Sequence, residues 1–191
     1  MMLATYKLAP ALIATSLLAA CAAPRMPTAS TPAAEQTKAI TASADALSIP
    51  LYQPRDNLLT AGQPAASDWA PLAAQGIKTV INLRPEGEMQ GRDEAAEVRA
   101  AGMRYIEIPV ANADAVNADN ARKLHEALGA AYQDGPVLLH CASANRAGGL
   151  LALALAMVTE HGMTLEDALD VGRKAGMKST EDAVRKAVEA R

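Results

Sequence analysis

Along residues 47–191, the spacing of apolar residues changes repeatedly between short strand-like runs and longer helical patterns, which predicts alternating strands and helices. Short β-branched or unbroken apolar runs predict strands at 51–53, 58–60, 79–83, 105–108 and 137–140. Longer stretches predict helices over 67–75, 93–101, 117–132 and 146–160, and two short ones follow before the C-terminus. This order predicts an α/β fold in three layers, with a mostly parallel sheet flanked by helices.

Local signals refine the ends of these elements. Ser67 is predicted to cap the first helix, and Gly76 to end it. Thr164 and Ser179 are predicted to cap the two C-terminal helices. The run at 137–140 has no polar interruption before its last residue, which predicts a strand buried on both faces at the centre of the sheet.

The first 46 residues have a different pattern and are predicted to lie outside the domain. Residues 1–20 carry Lys7 and then an apolar stretch too short for a permanent membrane span, which indicates a signal peptide. Small residues directly before Cys21 resemble the lipobox of bacterial lipoproteins, in which this cysteine becomes the lipidated N-terminus. An ordinary signal peptide cleaved nearby is the alternative. Residues 21–46, rich in Ala, Pro, Thr and Ser, predict a flexible tether before one domain at 47–191.

These features predict a lipoprotein of the bacterial cell envelope that faces the periplasm and contacts the membrane only through its lipid. Ala22 rather than Asp follows Cys21, and this resembles outer-membrane sorting in Gram-negative bacteria. The chain has two cysteines, so lipidation would leave Cys141 unpaired in an oxidising compartment. We interpret an unpaired thiol in that setting as one that is used.

Charge and histidine spacing exclude some partners. The net charge is −3 and no basic cluster is present, which argues against nucleic acid as a partner. The three histidines, His125, His140 and His161, lack the spacing of metal ligands. We therefore expect no metal and no cofactor.

The strongest chemical signal lies directly after the strand at 137–140. His140 and Cys141 are followed by four small residues, 142–145, and then by Arg146 at the start of an apolar helix. Main-chain N–H groups and a helix N-terminus bind anions, and a guanidinium binds oxyanions through two parallel hydrogen bonds. The positive field also favours the thiolate, so we predict a nucleophile beneath a phosphate cradle. A buried structural cysteine before an ordinary helix is the alternative.

Three blocks, 57–64, 76–84 and 140–148, resemble the superfamily of cysteine-dependent protein tyrosine and dual-specificity phosphatases. Within it they are similar to the bacterial phosphatase-like domain of beta-lactamase hydrolase-like proteins. The resemblance implies a dual-specificity-phosphatase-like fold that hydrolyses phosphate monoesters of a substrate class that the sequence leaves open. It also implies that Cys141 forms a phosphocysteine and that Arg146 binds the phosphoryl oxygens. The main-chain amides that would line the cradle belong to Ala142, Ser143, Ala144, Asn145 and Arg146.

The resemblance also suggests supporting residues. His140 would orient the thiolate from behind, although it could equally be a strand-end residue satisfied by the main chain. Arg84 would buttress the cradle, or else lie on a solvated charged loop. Asp114 is the predicted general acid that protonates the leaving group, with a simple turn residue as the alternative. Asp119 is the other candidate, and it also suits the first turn of a helix.

Three departures from the superfamily pattern keep other functions open. Four residues rather than five separate Cys141 from Arg146. The bacterial branch often has this shorter loop, but rhodanese-like sulfurtransferases, in which the cysteine carries a persulfide, also use a short one. Ala144 stands where the bacterial branch has Gly, and at positive φ it would cost about 1 kcal/mol. Ala147 replaces the Ser or Thr that helps the thiolate leave. The alternatives are therefore a catalytically weak phosphate-binding domain and a sulfurtransferase.

Overall fold

The computed structural model describes residues 47–157 and 163–190, and within them one five-stranded sheet forms the centre of the fold. The strands lie in the order β1-β2-β5-β3-β4, with β1 antiparallel to β2 and all other pairs parallel. Their bounds are β1 Leu51–Arg55, β2 Leu58–Ala61, β3 Thr79–Asn82, β4 Arg104–Glu107 and β5 Val137–His140. The strands predicted at 51–53 and 58–60 are confirmed and pair as a hairpin, and Asn57 at its turn has a φ of 58°.

Helices cover both faces of this sheet. The described residues form α1 Trp69–Ala74, α2 Glu94–Ala100, α3 Ala118–Ala131, α4 Asn145–Met157, α5 Leu165–Lys174 and α6 Glu181–Glu189. One apolar cluster joins alternate strand residues to α1 and α2, through side chains such as Trp69 and Val98. The other joins the opposite sheet face to α3, α4, α5 and α6, through side chains such as Leu124 and Leu169. The predicted three-layer α/β fold is confirmed.

Strand β5 lies at the centre of the sheet, between β2 and β3. All four of its residues are fully buried; Val137 and Leu139 lie in one apolar cluster, and Leu138 lies in the other. The prediction that the strand at 137–140 is buried on both faces of the sheet is confirmed. Because β2, β3 and β5 are parallel, the loops after Ala61, Asn82 and His140 meet at one edge of the sheet.

The cap prediction for the first helix is wrong. Ser67 lies inside a short 3₁₀ turn, Ala66–Asp68, that precedes α1. The Asp68 carboxylate accepts hydrogen bonds from the main-chain N–H groups of Ala65 and Ser48. This carboxylate, with two acceptor oxygens, satisfies donors from two chain segments.

Of the two predicted C-terminal helix caps, one is confirmed and the other is wrong. Thr164 caps α5 as predicted, because its hydroxyl accepts a hydrogen bond from the main-chain N–H of Asp167. The prediction for Ser179 is wrong by one residue, since Thr180 occupies the N-cap position of α6. The Ser179 hydroxyl instead accepts a hydrogen bond from the side chain of Asn145.

Helix α4 packs unusually close to the turn after α5. A Cβ built on Gly148 would lie 2.6 Å from both the carbonyl oxygen of Gly172 and the main-chain nitrogen of Met177. Only glycine fits there, and the approach brings residues 176–180 beside the first turn of α4. The start of α4 therefore has close neighbours on this side as well as at the sheet edge.

The predicted signal peptide, Cys21 and the tether up to residue 46 lie outside the described residues, as does the predicted end of α4 near residue 160. These expectations stay predictions. Within the described ranges, no helix combines the length and the apolar character that crossing a membrane requires.

Candidate active site

The loop from Cys141 to Arg146 leaves β5 at the carboxyl edge of the sheet. Cys141 is fully buried, and its main-chain N–H donates to the carbonyl of Ala61 at 3.4 Å. The next two residues, Ala142 and Ser143, are exposed to solvent. The residues predicted to form the cradle therefore surround one end of β5, where β2 and β3 also end.

Two carbonyl groups of this loop are turned towards the surrounding protein. The carbonyl of Ala142 accepts a hydrogen bond from Gln63 N–H at 3.3 Å, and that of Ala144 accepts one from Gly148 N–H at 2.9 Å. In a planar trans peptide the C=O and the next N–H point in opposite directions. The N–H groups of Ser143 and Asn145 consequently point away from these partners. With the N-terminus of α4, they form the kind of donor set that binds an oxyanion.

Ala144 adopts a left-handed backbone conformation, which is costly for any residue with a side chain. Its φ is 66°, in the left-handed region, and the residue is fully buried. The cost relative to glycine is about 1 kcal/mol. Its methyl group lies against Gly176, where a built Cβ would come within 2.6 Å of it. The absence of a side chain at Gly176 makes room for the one at Ala144.

Arg146 is held firmly at one end of its guanidinium group. Its Nη1 and Nη2 atoms donate to the two carboxylate oxygens of Glu88 at 2.8 and 2.7 Å, and Nη1 also donates to the carbonyl of Val110. Hydrogen bonding to Glu88, partly opposed by burial, raises the pKa of Arg146, and the neighbouring Cys141 contributes in the same direction. A guanidinium can also bind bidentately through its Nε side, which Glu88 does not occupy.

Glu88 is a site residue for which sequence reasoning assigned no role. Hydrogen bonds from Arg146, partly opposed by burial, hold the pKa of Glu88 below its usual value, and Arg84 acts in the same direction. Arg84 Nε lies 3.3 Å from the Glu88 carboxylate, and Arg84 Nη2 donates to its main-chain carbonyl. The structure thus places Arg84 one side chain away from Arg146, joined to it through Glu88.

His140 lies behind the thiol with a carboxylate partner. Its Nε2 is 3.0 Å from Oε1 of Glu94, and both side chains are almost completely buried. Burial alone would raise the pKa of Glu94, but hydrogen bonds and charge from His140 and a hydrogen bond from Gln63 lower it. The edge of the Trp69 ring packs on the imidazole. No local signal marks Glu94, because an acidic residue in a first helical turn is common for dipole reasons alone.

The predicted general acid is not brought to the thiol. Asp114 is exposed in a 3₁₀ turn, Ala113–Ala115, and within the described residues no hydrogen bond or ion pair joins it to Cys141 or Arg146. Its loop begins beside the site, since the carbonyls of Val110 and Ala111 both accept from Arg146. The other candidate, Asp119, pairs with Arg122 on the surface of α3.

Together these groups define the chemistry that the site can perform. A buried thiol, a guanidinium and oriented amides at a helix N-terminus can bind a tetrahedral oxyanion and present sulfur to it. In the parts of the chain that the structure describes, no three His, Cys, Asp or Glu side chains converge as metal ligands would. The fold and the site are those of a cysteine-based phosphatase-like domain.

The chain belongs to the family described as "Beta-lactamase hydrolase-like protein, phosphatase-like domain", whose model matches residues 51–158. It is 39% identical over 106 residues to a beta-lactamase hydrolase-like protein of Agrobacterium fabrum, covering 53% of this chain and 24% of that protein. It therefore spans about a quarter of the length of such relatives. It is also 29% identical over 135 residues to the dual specificity protein phosphatase TpbA of Pseudomonas aeruginosa, covering 71% of this chain and 58% of TpbA.

Solved structures agree with the fold. The crystal structure of P. aeruginosa TpbA aligns with a TM-score of 0.57 and 27% identity, covering 75% of this chain and 86% of that one. A putative phosphatase from Neisseria meningitidis aligns with a TM-score of 0.61 and 23% identity, covering 73% and 97%. The predicted superfamily is confirmed by these matches together with the family assignment.

Proposed function

We propose that this chain hydrolyses phosphate monoesters through a phosphocysteine formed on Cys141. The observation that supports this most strongly is the placement of Arg146. Glu88 binds one end of its guanidinium, and the Cys141 thiol interacts with the same group. A phosphoryl group bound at the Nε side of Arg146 would lie next to the sulfur, in the orientation that nucleophilic attack needs.

In the first step, the thiolate sulfur of Cys141 attacks phosphorus, the S–P bond forms and the ester P–O bond breaks. The leaving oxygen takes a proton from a general acid, for which Asp114 is our candidate. In the second step, water attacks phosphorus and gives a proton to the Asp114 carboxylate, a new P–O bond forms and the S–P bond breaks, which leaves inorganic phosphate, the Cys141 thiolate and a reprotonated Asp114. Arg146 and the amides of residues 142–146 would stabilise the negative charge of the phosphoryl oxygens in both steps.

The second step is expected to be slow. Ala147 is fully buried in the first turn of α4 and offers no hydroxyl group to the departing sulfur. The strained backbone at Ala144 adds a second reason for a modest rate. These two observations favour one further candidate, a phosphate-binding domain with little turnover, in which Arg146 and the amides retain their role.

The proposed substrate is defined only as a phosphorylated compound. TpbA has been crystallised, as a cysteine-to-serine variant, in complex with pTyr. For this chain we propose a phosphorylated substrate and no partner of the nucleic-acid class. The sulfurtransferase alternative has only the loop length in its favour, and cyanide-dependent consumption of thiosulfate would identify it.

The N-terminal predictions complete the proposal. Lipidation of Cys21 would place the domain on the periplasmic side of the cell envelope, at the end of a tether of residues 21–46. Metabolic labelling with a palmitate analogue tests this. We expect label on the parent chain and none on Cys21→Ala, and equal labelling of both would contradict lipidation at this residue.

The deciding experiment measures hydrolysis of p-nitrophenyl phosphate by the purified protein and by Cys141→Ser. We expect turnover that vanadate inhibits and that the variant lacks, because serine is a far weaker nucleophile at neutral pH. Absence of turnover in a parent chain that still binds phosphate would favour the binding domain. Equal turnover by parent and variant would rule out Cys141 as the nucleophile.

A further inference from the structure

A continuous series of side-chain contacts runs behind the cradle, from the residue before Cys141 to the predicted phosphate-binding arginine. It starts at His140 Nε2, 3.0 Å from Glu94, and ends at Glu88, which binds Arg146. Gln63 donates to Glu94 and accepts from Arg84, and Arg84 in turn binds Glu88. The complete order is His140, Glu94, Gln63, Arg84, Glu88, Arg146.

Gln63 is the residue at which the two halves of this series meet. Its carboxamide nitrogen donates to the Glu94 carboxylate, while its oxygen accepts from the Arg84 guanidinium. A carboxamide suits this position because it carries a donor and an acceptor side by side, so it can join an anion to a cation. The main-chain N–H of Gln63 also donates to the carbonyl of Ala142.

Because Glu94 is buried, the loss of one of its contacts would be costly. Glu94 is 2% exposed, and the carboxylate interacts with His140 through one oxygen and with Gln63 through the other. Without the Gln63 donor, this buried carboxylate would lose one of its hydrogen-bond partners, which is costly for a charged group. Arg84 would lose its Gln63 acceptor at the same time. Its guanidinium would then be held on one side less firmly, and this guanidinium contacts Glu88, the residue that binds Arg146.

We propose that Gln63 and Glu94 are positioning residues that couple the His140–Cys141 side of the site to Arg146. This inference rests on the proposed function, in that it takes Arg146 to bind the phosphoryl group. Neither residue is proposed to touch the substrate. They act by fixing the Glu88–Arg84 pair on one side and the His140 imidazole on the other, so that both halves hold one arrangement.

The test is an exchange of the two groups. Gln63→Glu places two carboxylates against each other, whereas Gln63→Glu combined with Glu94→Gln restores one donor between them and keeps the net charge of the parent. The readout is the Kd for inorganic phosphate, measured by calorimetry on the full chain, with thermal unfolding to verify the fold. We expect Gln63→Glu to weaken phosphate binding about tenfold and the double variant to recover to within about threefold of the parent.

Two further variants keep the test decisive. Gln133→Glu adds the same charge at an exposed position, and we expect parent-like phosphate binding from it. Gln63→Met removes the hydrogen bonds without adding charge and serves if Gln63→Glu does not fold. A folded double variant that binds no better than Gln63→Glu, or a Gln63→Met variant that binds like the parent, would overturn the inference.

The readout separates this inference from the proposed function. A parent chain that binds phosphate without hydrolysing esters would contradict the phosphatase proposal, and the exchange would still be informative. A parent chain that hydrolyses esters but shows no recovery in the double variant would contradict only the coupling. Failure of the parent chain to bind phosphate at all would overturn both.

Discussion

The two loops that would cooperate in catalysis differ sharply in how they are held. In the cradle loop, Cys141 and Ala144 are fully buried and Arg146 contacts a carboxylate and two carbonyl groups. In the loop that carries Asp114, residues 111–114 are all exposed, and the hydrogen bonds of its side chains are local. The fold preorganises the groups that bind phosphate, whereas the proposed proton donor lies on an exposed stretch whose side chains make only local hydrogen bonds among the described residues.

The largest effect is expected at the preorganised loop. Arg146→Lys keeps the charge but loses the planar fork, so it cannot satisfy Glu88 and a phosphoryl group bidentately at once. We predict that kcat/KM for p-nitrophenyl phosphate falls by about 10²–10³, the usual loss for one transition-state donor. A fall of less than about tenfold in a folded variant would show that preorganisation of this arginine matters little.

The exposed loop is tested by varying the leaving group. Asp114→Asn should lower kcat/KM, which reports the first step, about 10²-fold for phenyl phosphate, whose leaving group needs a proton. It should affect p-nitrophenyl phosphate much less, because that leaving group departs as a stable anion. Asn117→Ala, which removes the cap of α3 in the same loop, is the control and should show no dependence on the leaving group. Equal effects of Asp114→Asn on both substrates would exclude Asp114 as the acid.

An intermediate effect is expected from acidification. The pKa values of Glu88 and Glu94 both lie below the ordinary value of 4.5, so each carboxylate stabilises the fold above that pH. This contribution is lost as the pH falls through the lowered pKa of each group in the folded state. We predict that the Tm falls below pH 4.5, and less steeply in Glu88→Gln than in the parent. Parallel curves for the two proteins would mean that the Glu88–Arg146 pair contributes nothing measurable.

The smallest effect is expected at Ala144. Ala144→Gly relieves a φ of 66°, worth about 1 kcal/mol, but removes a buried methyl group worth about 0.8 kcal/mol. These terms nearly cancel, so we predict a change of less than about 0.5 kcal/mol in the free energy of unfolding. Denaturant titration measures it. A gain above about 1 kcal/mol would show that the strain at Ala144 far outweighs the packing of its methyl group.

The same contrast explains what the sequence could predict. The run at 137–140 and the following His140–Cys141–Arg146 pattern are local, so both the central strand and the cradle loop were identifiable. The Glu94–His140 contact joins residues 46 apart, and the Glu88–Arg146 contact joins residues 58 apart. Such pairs depend on which strand ends meet at the sheet edge, and no local signal marks them. The wrong cap at Ser179 has a similar origin, because its hydroxyl is engaged by Asn145, 34 residues away.

The proposed intermediate is a covalent phosphocysteine, which intact-protein mass spectrometry can detect after rapid quenching of a reaction with p-nitrophenyl phosphate. Because Ala147 supplies no hydroxyl for the second step, we predict that the intermediate accumulates. A single phosphoryl adduct should then map to Cys141, with a burst of p-nitrophenol equal to the concentration of sites. Steady turnover with no adduct on Cys141 and no burst, or an adduct on another residue, would contradict this mechanism.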